Sequence, residues 1–221
     1  MEQPGLGVLV SYGWEQVKKY PLFHIVGVFL VPLIGAFTMC ILLGPLLAGY
    51  MSEVRKADAG QEPEIGGIFS NAFKQNVGAA ILVSFLPFVV LFAINIILIG
   101  IATVLSLTID PIIGMIFGVL VGIVFAVISL FVFPLLFMAV HRIAILGEAS
   151  GMGALKQACA TFGKWALPGA VFTLVGALGG LFCGIGQFIT WPIAYAGLYK
   201  LAEYLSNAPA VNSETRPPAP S

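Results

Sequence analysis

Side chains able to do chemistry are scarce in this chain of 221 residues, and their positions decide which reactions it can support. Hydrolysis needs a nucleophile beside a base, paired carboxylates or an HExxH helix, and no such set stands in the sequence. The two histidines are isolated. His24 follows Lys19 at the start of an apolar block, where a lone imidazole serves as an interfacial hydrogen-bonder. His141-Arg142 closes another block, where the guanidinium can reach lipid phosphate. Glu53, Asp58, Glu62 and Glu64 share one stretch with Arg55 and Lys56 and read as a solvated face. Cys40, Cys159 and Cys183 are too far apart for a CxxC pair, and their odd number leaves no complete disulfide framework. They read as small apolar packers. The expectation is a non-enzymatic chain with no catalytic residue, metal or cofactor.

The other polar groups lie inside apolar blocks. Asn95 stands mid-span, with Ser84, Ser106, Ser129, Thr173, Gln187 and Thr190 completing most of the set. An unpaired amide in hydrocarbon is costly, so Asn95 and Gln187 are the candidate intramembrane polar contacts, to a neighbouring helix or to a solute. Gly114, Gly118, Gly122 and Ala126 recur every fourth residue. A row of small residues lets a second backbone approach, and in lipid such packing replaces the hydrophobic drive to associate. The partner is a helix of the same chain or a second copy.

The elements that carry these groups belong to a membrane. Of all residues 59% are hydrophobic and 9% charged, against about 25% charged in soluble domains. The run from Val77 to Val140 is almost wholly apolar, with Asp110 in Thr108-Ile109-Asp110-Pro111 its one ionisable group. A bilayer core takes about 20 apolar residues per helix, so this run holds two spans and a tight turn. Ten basic and ten acidic residues cancel, and without a basic patch no nucleic-acid partner is expected. Met1-Glu2-Gln3-Pro4-Gly5 lacks the basic and apolar regions of a signal peptide.

Apolar blocks at about 22–50, 77–140 and 165–199 alternate with polar stretches holding Arg55, Lys56 and Lys74, then Arg142, Lys156 and Lys164. Basic loops stay cytoplasmic, which puts both stretches inside and Asp110 outside. A single crossing by each outer block gives four spans and strands Lys18 and Lys19 outside. Three hairpins, about six helices, keep every Lys and Arg on one face with both termini cytoplasmic. The first hairpin is expected to turn at Val31-Pro32-Leu33-Ile34-Gly35, between arms from about Trp14 and up to about Lys56, and is short enough to be re-entrant. The last divides into 165–183 and 187–205, around a corner of Gly179, Gly180, Gly184 and Gly186.

An internal echo links the outer hairpins: Pro21 and Pro45 are separated by the same interval as Pro168 and Pro192. Phe73-Lys74 before the middle hairpin and Phe162-Gly163-Lys164 before the last repeat the pattern of an interfacial helix feeding a hairpin. Three stretches have the spacing of such amphipathic helices: Leu6, Leu9, Val10, Gly13 and Val17; Ile65, Ile68, Phe69, Ala72 and Phe73; and Met152, Leu155, Cys159 and Phe162. Residues 1–205 therefore read as one polytopic domain, and 206–221, with four prolines, as a disordered tail.

Pro32-Leu-Ile-Gly35, Gly44-Pro45-Leu-Leu-Ala-Gly49-Tyr50, Gly60-x-Glu62-Pro63 and Ile68-Phe69 resemble a group of uncharacterised bacterial polytopic inner-membrane proteins. In that group a PxxG hairpin precedes a GPLxAG helix end and a GExP-like loop, and the similarity is clearest over residues 20–90. The resemblance implies a bacterial cytoplasmic membrane and six short helices, and transfers no catalytic residue. The function expected is a structural, scaffold or oligomeric membrane component whose partners are the bilayer and a further copy or other membrane proteins. The alternative is a small passive channel or lipid/solute transporter with a path near Asn95 and Gln187.

Overall fold

Nine helices account for nearly all of the computed structural model, which describes residues 4–74, 76–179 and 186–207. They are α1 (Leu6–Lys19), α2 (Pro21–Phe37), α3 (Leu43–Asp58), α4 (Ile65–Ala72), α5 (Val77–Thr108), α6 (Pro111–Leu146), α7 (Gly151–Ala160), α8 (Phe162–Leu178) and α9 (Gln187–Asn207). No strand occurs among the described residues. Two helices, α5 and α6, are long and apolar enough to cross a bilayer. The count rises to four if the bent pairs α1–α2 (106°) and α7–α8 (92°) are each one broken span. The expected six membrane helices in three hairpins are thus not confirmed, whereas the three stretches with amphipathic spacing do form separate short helices, α1, α4 and α7, ahead of the longer pairs.

That addition makes the chain a threefold repeat of one short and two longer helices: α1–α3, α4–α6 and α7–α9. Each short helix packs on the second arm of the preceding unit: α4 on α3, α7 on α6, and α1 on α9. First arms follow the same rule, with α5 on α3, α8 on α6 and α2 on α9, so the ring closes. Glycine makes two of these contacts close. A methyl at Gly49 of α3 would collide with the Ile68 carbonyl of α4, and one at Gly13 of α1 would lie 2.5 Å from the Ile193 carbonyl of α9. The second arms share a marker, Pro45-Leu-Leu-Ala, Pro134-Leu-Leu-Phe and Pro192-Ile-Ala-Tyr. Its middle copy lies within the long apolar block, where hydropathy conceals it.

The first turn falls later than expected. Pro32 lies inside α2, and the chain reverses at residues 38–42. Thr38 Oγ1 donates to the Ile34 carbonyl at 2.9 Å and accepts from Leu42 N–H at 3.3 Å. Met39 and Cys40 take left-handed backbone, φ 49° and 64°, and the Cys40 carbonyl accepts from Ser84 Oγ of α5 at 3.1 Å. Hydrogen bonds at 38–42 outweigh the cost of left-handed residues, about 1–2 kcal/mol each. Gly35 instead supplies clearance, since a methyl there would lie 3.0 Å from Leu43 Cδ1. The tight turn at Asp110 is where the sequence puts it: Asp110 caps α6 by accepting from Ile112 N–H at 2.6 Å, and Pro111 has no N–H to satisfy.

The long hairpin outgrows the ring. α5 and α6, of 32 and 36 residues, measure about 48 and 54 Å at 1.5 Å per residue. Only the ends near the ring are well buried: Ala80, Val83 and Ser84 of α5, and Pro134 to Ala144 of α6. Between Ser84 and Pro134 about 35 Å of paired helix projects with Gly114 its one buried residue. In the remaining body, α3, the end of α6, and α9 enclose Tyr50, Met51, Phe137, Trp165, Phe172, Leu198 and Tyr199. Ser206, where a disordered tail is expected to start, is still helical, because α9 runs to Asn207; residues 208–221 lie outside the described residues.

Candidate functional site

Three polar residues occupy equivalent places on the second arms, each eight residues after its marker proline: Glu53, Arg142 and Lys200. Each holds the short helix that packs on its own arm. Glu53 of α3 is fully buried and accepts from Asn71 Nδ2 of α4 at 2.5 Å, from the Glu64 backbone N–H at 2.9 Å and from Lys56 Nζ at 2.5 Å. Gly67 of α4 lies against this carboxylate, and any side chain there would strike it. Arg142 of α6 donates to Gln157 of α7, whose Nε2 donates to Glu148 Oε2 at 3.0 Å. Lys200 of α9 stands 5.0 Å above the Tyr12 ring of α1, a cation–π contact, and pairs with Glu203 at 2.7 Å. One structural task, clasping a short helix to an arm, is done by an anion, a guanidinium and an ammonium.

Asp58, at the end of α3, adds a tie to α1. Its Oδ1 accepts from Tyr12 OH at 2.7 Å and Gln16 Nε2 at 2.9 Å, and Lys200 Nζ lies 3.9 Å from Oδ2. Desolvation pushes the Asp58 carboxyl above its ordinary value, while the Tyr12 hydroxyl and Lys200 act against the rise. Burial and the Asp58 carboxylate also raise the Tyr12 hydroxyl.

The solvated acidic face expected here is therefore corrected at Glu53, while Arg55, Glu62 and Glu64 are exposed as expected. Glu53 repeats the spacing of Leu46, Tyr50 and Ala57, all buried on one side of α3, and that periodicity was the signal in the sequence. His24 is corrected likewise. It shares a face with Val28, Val31 and Gly35, is fully buried, and pairs through Nδ1 with Tyr50 OH at 2.8 Å. His141 is also buried, with its ring 5.5 Å from that of Tyr199. Among the described residues His24 Nε2, His141 Nε2 and Tyr199 OH have no hydrogen-bond partner. Arg142, expected at lipid phosphate, is turned to Gln157.

The glycine row divides. A methyl at Gly114 would lie 2.5 Å from Ser106 Cβ, so this position packs α6 on α5. Gly118 and Gly122 meet nothing within 4 Å, and both are exposed with Ala126. The reason is geometric. Half-buried Phe117, Val121, Phe125 and Ile128 of α6 mark the seam with α5 and, from Gly114, step by three, four, four and three residues, whereas every four-residue step turns a helix about 40° past a full circle. A row at strict fourfold spacing therefore enters the seam at Gly114 and winds out of it.

Asn95 is half-buried, at a seam position with Leu91, Leu98 and Ala102, and its side chain has no hydrogen-bond partner among the described residues. Gln187 lies elsewhere, at the start of α9, lining a cleft of about 420 Å³ with Phe29, Phe133 and Trp191; Asn95 does not line this cleft. Cys40 sits half-buried on the first turn, Cys159 is exposed, and Cys183 with Gly180 and Gly184 lies outside the described residues. The described residues contain no group of three His, Cys, Asp or Glu able to hold a metal ion.

Fold and site define an all-helical protein with two to four helices able to span a membrane. Comparison with protein-family models, with curated proteins and with solved structures finds no match.

Proposed function

We propose that this chain is a non-catalytic structural component of a bacterial cytoplasmic membrane, a scaffold or oligomer built through its α5–α6 hairpin. The observation that carries the reading is the projecting hairpin itself: apolar on all sides, and bearing a small-residue face at Gly118, Gly122 and Ala126 that none of the described residues covers. About 35 Å of projecting helix pair suits a hydrocarbon core of about 30 Å. In lipid an open glycine face is where a second helix approaches most closely. The body lies at the cytoplasmic side in this reading. Its α2–α3 and α8–α9 hairpins enter from that side, both termini are inside, and Asp110 is outside. The basic loops and the resemblance to bacterial inner-membrane proteins support that placement.

Light scattering in detergent tests the assembly. The chain should run as an oligomer and Gly118→Leu/Gly122→Leu as a folded monomer; an unchanged mass would remove the hairpin face as the interface. Reporter fusions after Lys56, Lys164 and Ser221 should read inside, and one at Asp110 outside. The passive-path reading is weaker, because Gln187 lines a cleft of the body while Asn95 stands in the hairpin seam.

A further inference from the structure

We propose that the elbow between α1 and α2 binds the headgroup of one ethanolamine phospholipid, with an acyl chain following α2 into a second cleft. The inference rests on the membrane placement proposed above and goes beyond it by naming a ligand. Two clefts border α2. One, of about 380 Å³, is lined by Lys19, Leu22 and Phe23 at the elbow and by Glu62, Glu64 and Ile65 from the α3–α4 connection. The other, of about 420 Å³, takes Phe29 and Leu33 from α2, Phe133 from α6, and Gln187, Trp191 and Tyr195 from α9. Leu22, Phe29 and Leu33 fall on one side of α2, because intervals of seven and four residues return a helix to nearly the same direction. This strip borders both clefts and runs about 16 Å from Leu22 to Leu33, the reach from a headgroup into the upper acyl chain. Leu22 and Leu33 are 68% and 54% exposed, so the strip is open to lipid.

Charge selects the headgroup. The elbow cleft brings together one ammonium and two carboxylates, yet Lys19 forms no ion pair with Glu62 or Glu64 among the described residues; its Nζ lies 5.0 Å from the Tyr20 ring. Phosphoethanolamine carries the complementary charges: its phosphate meets Lys19, and its primary ammonium has N–H groups to donate to Glu62 and Glu64. A choline headgroup has no N–H to donate. A phosphatidylglycerol headgroup brings a net negative charge towards two carboxylates without a compensating cation. Leu22, Phe23 and Ile65 furnish apolar walls for the glycerol backbone.

Native mass spectrometry of the full chain, with ethanolamine, choline and glycerol phospholipids of identical acyl chains added in turn, tests the assignment. The expected result is one retained ethanolamine lipid, preferred by about tenfold or more over either competitor, the scale of lost charge-assisted hydrogen bonds. Glu62→Gln/Glu64→Gln should abolish that preference. Lys19→Ala should weaken retention of all three lipids, and Leu33→Trp, which fills the lower cleft, should do so while preserving the headgroup order. Equal retention of the three lipids by the unaltered chain, or an ethanolamine preference surviving in Glu62→Gln/Glu64→Gln, overturns the site. Resistance of the same proteins to alkaline extraction from vesicles is read in parallel. Extraction of the unaltered chain overturns the membrane placement and this site with it, whereas firm insertion without headgroup preference overturns the site alone.

Discussion

The projecting α5–α6 hairpin and the ring-shaped body beside it draw on the same apolar residues and orient them oppositely. The body has large side chains pointing inward: Trp165, Tyr50, Tyr199 and Phe137 are fully buried, and polar groups such as Glu53 and His24 go in with them. In the hairpin Phe92, Ile97, Val104, Met115, Val119 and Leu120 point outward, and even the seam residues, among them Phe117, Phe125 and Asn95, are only half-buried. Water would penalise the second arrangement at about 25 cal/mol per Å² of apolar surface; hydrocarbon does not. The body is therefore held by its own packing and polar clasps, and the hairpin by its surroundings. A substitution that ruins one region should leave the other nearly untouched.

The largest expected effect separates the two regions by charge on an outward surface. Ile97, 61% exposed, lies near the middle of the projecting part of α5. Ile97→Arg should oppose insertion by about 2.5–3.5 kcal/mol, the cost of an arginine at the centre of a spanning helix. Ser70→Arg, on the exposed polar side of α4, should stay within about 0.5 kcal/mol. Insertion of both variants in a reporter assay gives the comparison, and equal insertion would mean that the hairpin does not cross the bilayer.

Next comes the clasp. Glu53→Ala leaves Asn71 Nδ2 and the Glu64 N–H without their acceptor and should cost about 2–3 kcal/mol in detergent melting. The figure is discounted for Lys56, whose side chain is 43% exposed and can turn to water. Glu53→Gln keeps one acceptor oxygen and should lose less. A melting temperature unmoved by Glu53→Ala would make the body as indifferent to its polar interior as the hairpin is.

How far these regions were legible in the sequence follows from the same contrast. Uninterrupted hydropathy and Asp110-Pro111 displayed the hairpin directly, because bilayer length is a one-dimensional property. The three- and four-residue spacing of Leu6 to Val17, Ile65 to Phe73 and Met152 to Phe162 displayed α1, α4 and α7, but nothing in the sequence shows that α1 packs on α9 to close the ring. The Pro32–Gly35 signal misled, because proline is tolerated within a helix whose freed carbonyl finds other partners in a packed membrane protein, and Gly35 serves close packing against Leu43. Charge and position alone point Glu53 and His24 to water or the interface. Their three- and four-residue spacing with buried neighbours pointed the other way. The glycine row is legible as a motif, but only the packing of α6 on α5 shows that Gly114 lies in the seam while Gly118 and Gly122 remain open.

A smaller effect is expected inside the hairpin. The Asn95 side chain, half-buried in α5, has no hydrogen-bond partner among the described residues, so Asn95→Leu removes an amide from the apolar hairpin and sacrifices no side-chain bond to them. Thermal stability should hold or rise by up to about 1 kcal/mol, within the range of polar interactions measured in membranes. A loss well beyond that would reveal a partner for Asn95 outside this chain, and the hairpin would then share the body's dependence on polar contacts.

The smallest effect is one of pH, and it belongs to the body alone. Asp58 is desolvated between α1, α3 and α9, which raises its carboxyl above 3.8 against the pull of Tyr12 and Lys200. A raised folded-state value means that the folded chain keeps this proton to a higher pH than the unfolded chain. Stability contributed by the protonated group is thus complete below 3.8 and falls as pH rises through 3.8 to the folded value, then levels off. Asp58→Asn retains an oxygen to accept from Tyr12 OH and Gln16 Nε2, and has no proton to lose. Melting curves taken from pH 3 upwards should show the unaltered protein losing stability relative to Asp58→Asn across that window, with parallel curves above it. The hairpin supplies the control, since Asn95→Leu should shift the whole curve without changing its slope. If the unaltered protein instead gained on Asp58→Asn as pH rose, the Tyr12 and Lys200 contacts would outweigh desolvation. The tie between α1 and α3 would then be an attractive charge cluster instead of a strained one.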